Sequence, residues 1–206
     1  MLKAKWLLTL ATCGAVAISG CSSSVTAGRD GTEMTVTTVS GYELPGGYGN
    51  ALDHKGNDAI FTVVVRDLMP AKKFTLEAGS GVSQTYVYTP VRASITAVLK
   101  PGGKELQPGQ IVTLRVLGGS TASDRTINEI TAGPELYRVG RTVQIFSQPP
   151  FVDPDTGTVQ YVPNWSFEQS VDNKSLTNLH EPSVTIPVDA ARTQAQRKAV
   201  SSGWAK

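Results

Sequence analysis

The run Val91-Arg92-Ala93-Ser94-Ile95-Thr96-Ala97 alternates apolar with polar residues, which predicts a half-buried strand with Val91, Ala93, Ile95 and Ala97 on its inward face. Val112, Leu114 and Val116 alternate with Thr113 and Arg115 in the same way. The stretch between them, Pro101-Gly102-Gly103-Lys104 to Pro108-Gly109, is dense in turn residues, so the two runs are expected to pair as an antiparallel hairpin with a long loop. Ile60 to Val65 is more continuously apolar and rich in β-branched residues, as a strand buried on both faces should be. Short valine- and threonine-rich runs bounded by glycine and proline add further strands. The full expected set is Glu33–Val39, Ala59–Asp67, Thr85–Lys100, Ile111–Leu117, Glu135–Val139, Thr142–Ser147, Thr158–Val162, Trp165–Ser170 and Ser183–Pro187.

Only Asp189 to Val200 suggests a helix, with Asp189 as its cap, and it shows no broad apolar stripe. Residues 189–206 are therefore expected to be a short helix or a polar tail. The fold class predicted for residues 33–188 is all-β, a single antiparallel β-barrel or β-sandwich domain.

The N-terminus has a different pattern. Lys3 and Lys5 precede an apolar run from Trp6 to Ile18, too short to cross a bilayer, which needs roughly 20 apolar residues. This run leads into Ile18-Ser19-Gly20-Cys21. The tetrapeptide resembles the lipobox of bacterial lipoproteins. That resemblance implies a signal peptide at residues 1–20, cleavage before Cys21, and a diacylglycerol on the Cys21 thiol. It also implies attachment to the non-cytoplasmic side of the cell membrane or of an outer membrane. The small, polar residues 21–32 that follow have the composition of a flexible spacer.

Processing at that site changes the charge. Without Lys3 and Lys5 the 17 remaining basic residues match the 17 acidic ones. A neutral domain has no electrostatic footprint for nucleic acid. The two cysteines are Cys13, lost with the signal, and Cys21, taken by the lipid, so no intrachain disulfide is expected.

The block from Thr85 to Ser170 carries a strand, a glycine turn, a strand ending in Gly118-Gly119, and a turn at Gly140 leading to Thr142-Val143-Gln144-Ile145-Phe146. This order is similar to that of small OB-like or netrin-like barrels of exported proteins. The resemblance implies a barrel and brings no catalytic residue with it.

Candidate chemistry is sparse. His54, in Leu52-Asp53-His54-Lys55-Gly56-Asn57-Asp58, fits no zinc spacing, and His180 is followed within two residues by Pro182. Asp155-Thr156-Gly157 spells an aspartic-protease triplet in a single copy, and Asp153 with Asp155 matches only the start of a calcium loop. A turn joining Phe151-Val152 to Val159-Gln160-Tyr161 accounts for the same residues. No pattern asks for a metal or a cofactor. Tyr161, Trp165 and Phe167 remain as a possible surface for a ligand or partner, or else as a cap on the core, and Tyr42 and Tyr48, far away in sequence in the glycine-rich segment Gly41 to Gly49, could join such a surface.

These features favour a lipid-anchored, non-catalytic binding or structural module meeting envelope proteins or glycans. The alternatives are a tethered hydrolase or wall-modifying enzyme, and a small-ligand carrier.

Overall fold

The β-branched runs pair into two sheets in the computed structural model, which describes residues 22–27, 34–40, 46–77, 83–103, 105–154 and 156–204. The N-terminal half comprises β1 (Ser22–Ala27), β2 (Met34–Val39), α1 (Tyr48–Asp53), β3 (Ala59–Leu68), β4 (Lys72–Glu77), β5 (Ser83–Lys100) and β6 (Ile111–Leu117). After these come β7 (Gly119–Ser120), β8 (Asp124–Asn128), β9 (Thr142–Ser147), β10 (Phe151–Val152), β11 (Val159–Tyr161), β12 (Pro163–Gln169), β13 (Ser175–Asn178), β14 (Thr185–Pro187) and α2 (Val188–Ser202).

The larger sheet runs β10-β11-β6-β5-β3-β9-β12-β13-β14, with β4 added against the first half of β5. Both β3 and β4 lie antiparallel to β5, registered Leu68 to Val91 and Lys72 to Tyr88, so they follow one another along its length with a break at Met69-Pro70-Ala71. The smaller sheet runs β1-β2-β8-β7. It leans on the β4–β5 hairpin through a few directed contacts. The Thr126 hydroxyl accepts the Val87 N–H at 2.7 Å, and the Thr37 hydroxyl donates to the Thr85 carbonyl at 3.3 Å.

Each face of the larger sheet buries its own cluster. The inner face collects Phe61, Val63 and Val65 of β3, Val91, Ala93 and Ile95 of β5, Leu114 and Val116 of β6, and Val143 and Ile145 of β9, all at most 2% exposed. Apart from Ala93, each such side chain contributes about 1.5–3 kcal/mol relative to exposure. The outer face collects Ile60, Phe146, Phe167 and Trp165 beneath α1 and α2. Ile60 and Phe61, both fully buried on opposite faces, explain the nearly continuous apolar run of β3. The expected hairpin forms between β5 and β6, registered Val91 to Leu114 and Ala93 to Val112.

Several expectations need correction. Neither sheet closes on itself among the described residues, so the architecture is mostly β with a C-terminal helix, and the pairing is not wholly antiparallel. β11 runs parallel to β6, and β2 runs parallel to β8. Ala97 is not on the inner face. A register shift between Thr62 and Val63, which pair with Ala97 and Ile95, adds a residue to β5 and inverts its alternation. Val98 therefore reaches the inner core, and Ala97 faces outward.

The strand expected at Glu135–Val139 is instead a short 3-10 turn at Pro134–Leu136 that drops Tyr137 into the core at 2% exposure. Proline at the first position of that turn favours the helical start. Within the expected spacer, Ser22–Ala27 forms β1, paired with β2 at six positions, while residues 28–33 lie outside the described residues. The signal segment 1–20 and Cys21 also lie outside them.

α2 begins at Val188 with Pro187 as its cap residue rather than Asp189, which sits in the first turn. Its buried stripe is made of alanine, which is too small to stand out as an apolar pattern. Ala191, Ala195 and Ala199 recur every four residues and are all buried, letting the helix approach the sheet closely. Gly203, with φ of 67°, closes the helix by donating its N–H to the Ala199 and Val200 carbonyls. No helix among the described residues is long and apolar enough to cross a membrane.

Candidate functional site

Strand parity places Tyr86, Tyr88 and Arg92 of β5 on the outer face, opposite Val87 and Val91. Cross-strand register adds Arg115 beside Pro90 and Phe74 beside Tyr86, then links Thr113 to Gln160 and Gln160 to Phe151. α2 covers the other end of this face, over Ala97 and Leu99. The half formed by β4, β6, β10, β11 and the start of β5 has no helix on it among the described residues.

Arg115 organises this half. It is only 7% exposed, and its guanidinium carbon lies 4.2 Å from the Phe74 ring centroid and 4.1 Å from those of Tyr88 and Phe151. A desolvated cation over aromatic faces gains about 2 kcal/mol or more from the ring quadrupoles. The polar side of the cluster is equally connected. Arg115 Nη1 donates to Gln160 Oε1 at 3.4 Å, and Gln160 Nε2 donates to Asp153 Oδ2 at 3.0 Å. The Tyr88 hydroxyl also donates to Asp153 Oδ2, at 3.2 Å. Burial draws the Arg115 pKa below its ordinary value, and Tyr88 and Asp153 act in the opposite sense.

The rings around Arg115 extend a partly exposed stripe. Phe74 stacks on Tyr86 at 5.4 Å between centroids. Leu76 is 54% exposed, Ile111 51% and Phe151 38%. One face of Phe74 is taken by Arg115 and the ring also stacks on Tyr86, so much of the free apolar surface is aliphatic.

The residues singled out from sequence lie elsewhere. Tyr161, Trp165 and Phe167 are 4%, 5% and 0% exposed, which makes them core rather than surface. Tyr161 packs edge-on against Phe61 inside the sheet, and Phe167 against Tyr48 and Phe146 beneath the helices. Tyr48 is buried with its hydroxyl donating to Gln144 Oε1 at 3.0 Å, while Tyr42 lies outside the described residues. His54 is half-buried. Its ring meets Trp165 edge-on at 4.9 Å and its Nδ1 accepts the Gly56 N–H. His180 is anchored through its backbone N–H to Asn178 Oδ1 at 2.9 Å.

The Asp153 loop is a hairpin turn between β10 and β11, as turn chemistry predicts. Asp153 Oδ1 accepts the Thr156 N–H, its backbone bonds to Thr158 and Gly157, and Asp155 lies outside the described residues. No group of three or more His, Cys, Asp or Glu among the described residues converges as metal ligands would.

Among the described residues, two concavities lie away from this cluster. A groove of about 370 Å³ runs between α2 and the sheet, lined by Tyr48, Thr96, Gln144, Ala191 and Arg192 among others. A second, of about 540 Å³, lies where Arg138 and Arg141 both pair with Glu168, whose side chain is 9% exposed.

The alternation around Val87 already placed Tyr86 and Tyr88 together, and Arg115 broke an apolar run at a polar-face position. The meeting of Phe74, Arg115 and Phe151 depends on pairing between strands far apart in sequence, which alternation does not encode. No protein-family model matches the chain, and no curated protein matches it either.

Proposed function

We propose that this chain is an exported lipoprotein, held on the non-cytoplasmic side of a membrane through Cys21, whose mostly-β domain is a non-catalytic binding module of the cell envelope. The observation that carries this reading is the half of the outer face left without a helix, with Phe151 packed on the buried Arg115 and with Leu76 and Ile111 exposed further along the same face. A sheet face normally buries its apolar side against another layer. The rings here are locked by the guanidinium, so a partner would meet a surface already ordered, which lowers the entropic cost of association.

A protein suits this surface better than a glycan. Sugar rings stack on free aromatic faces, and here Arg115 occupies one face each of Phe74, Tyr88 and Phe151. Exposed aliphatic atoms beside ring edges favour a complementary apolar protein surface. The reading needs an open sheet with half of one face uncovered, and it takes nothing from the OB-like resemblance.

The test is photocrosslinking in intact cells with a photoreactive side chain at Leu76 or Ile111, and a control at the exposed Arg197 on α2. A discrete protein adduct at the first two positions and not at the third is the expected result. Equal labelling at all three, or purified protein that consumes a cell-wall substrate, would overturn the reading.

A further inference from the structure

The strand order brings Ser22, the residue that follows Cys21, directly against the folded body. β1 pairs with β2 at six consecutive positions, from Ser22 opposite Val39 to Ala27 opposite Met34. β2 in turn runs parallel to β8, with Val39 opposite Asn128 and Thr35 opposite Asp124. Ser22, Val39 and Asn128 thus form one row at one end of the small sheet. Met34 and Asp124 mark the other end, next to the exposed Ala122.

Cys21 is joined to Ser22 by one peptide unit, and consecutive Cα atoms are about 3.8 Å apart. No length of slack chain separates the proposed lipid from the first hydrogen-bonded pair. We infer that the Ser22–Val39–Asn128 end of the small sheet is a membrane-facing surface, held at the phospholipid headgroups by the acyl chains on Cys21. The inference rests on the lipoprotein reading and adds an orientation to it.

The chemistry of that end suits a hydrated interface. Asn128 Oδ1 accepts the N–H groups of Ile130 and Thr131, Asn128 Nδ2 donates to the Thr131 hydroxyl at 2.7 Å, and the Glu129 N–H donates to the Val39 carbonyl. Backbone groups at this end therefore have partners within the protein, and its exposed side chain at Glu129 is hydrophilic. Attachment comes from the lipid, because two acyl chains suffice for stable anchoring. The sheet end sets the direction. A strand rises about 3.3 Å per residue, which puts the Asp124 end some 13 Å along β8 from Asn128.

The test uses the full lipidated protein in phosphatidylcholine vesicles that carry a nitroxide on the headgroup. Cys21 is the last cysteine of the chain, so Glu129→Cys and Ala122→Cys each introduce one labelling site for a fluorophore. Both positions are exposed, and the labelled variants are compared with the parent by thermal melting to verify the fold. The expected result is several-fold stronger quenching at position 129 than at 122, with the difference abolished when ten Gly/Ser residues are inserted between Cys21 and Ser22. Equal quenching in protein whose intact mass shows the diacylglycerol would overturn this inference alone. A mass without the lipid would overturn the lipoprotein reading and the inference with it.

Discussion

Tyr137 shows how much one buried hydroxyl can decide. Its ring fills the inner core and its O–H shares a 2.6 Å hydrogen bond with the Ser166 hydroxyl of β12. Tyr137→Phe leaves Ser166 without that partner in a dry site, so a loss of about 1–3 kcal/mol is expected in urea unfolding. Removing both hydroxyls in Tyr137→Phe with Ser166→Ala should cost less than the first change alone. Burial also pushes the phenol pKa of Tyr137 far above 10.0, with the Ser166 bond as a smaller opposing influence, and burial raises Tyr48 as well. The unfolded chain ionises these phenols near pH 10 while the native one holds their protons, so stability should fall as pH rises above about 10. Absorbance at 295 nm should show Tyr137 and Tyr48 ionising only together with unfolding. An early titration of all six tyrosines would contradict this placement.

Between elements, the link from β4 to β8 is electrostatic. Lys73 Nζ lies 2.6 Å from Asp124 Oδ2 and 2.8 Å from Ser123 Oγ, and hydrogen bonds from Lys73 and then Ser123 hold the Asp124 carboxyl below the usual carboxylate range. A depressed carboxylate pKa contributes stability that is present above the unfolded value of 3.8 and is lost as pH falls through the lower folded value. Lys73 is half exposed, so solvent screening keeps the effect below about 1 kcal/mol. Asp124→Asn should therefore lower the melting temperature slightly at pH 7, and the difference from the parent should shrink as pH falls below 3.8 and in 1 M salt. A difference unchanged by both acid and salt would mean that the carboxylate charge is not what joins these strands. The lysines on β4 also lie on an edge strand, where charge discourages pairing with another chain.

Across the molecule, stability should be uneven. The larger sheet has a buried cluster on each face, whereas the smaller one joins it through Thr37, Thr126, Lys73 and a few neighbouring contacts. Local opening requires least energy where few apolar contacts are lost. Amide exchange should accordingly be faster in β2 and β8 than in β3, β5 and β9, by at least tenfold. Uniform protection across the two sheets would show that they unfold as one unit. The uneven design fits the proposed division of labour, with a rigid larger sheet presenting the Arg115 face and a smaller sheet set beside the anchor.

Much of this architecture was legible in local pattern. Alternation in β5 and β6, the two-sided apolar run of β3, and the turn residues around Gly102 and Gly109 all report which backbone conformation buries the most apolar area within a few residues. The greasy segment ending at Cys21 belongs to the same local information. Short polar strands such as β8 and β13 were silent because their ladders are stabilised by neighbours that alternation does not name. The reversal at Ala97, the parallel pairing of β11 with β6, and the choice of Tyr137 over an exposed strand arise from contacts between distant residues. So does the gathering of Phe74, Tyr88, Arg115 and Phe151, because a sheet face acquires chemistry only once register brings its strands side by side.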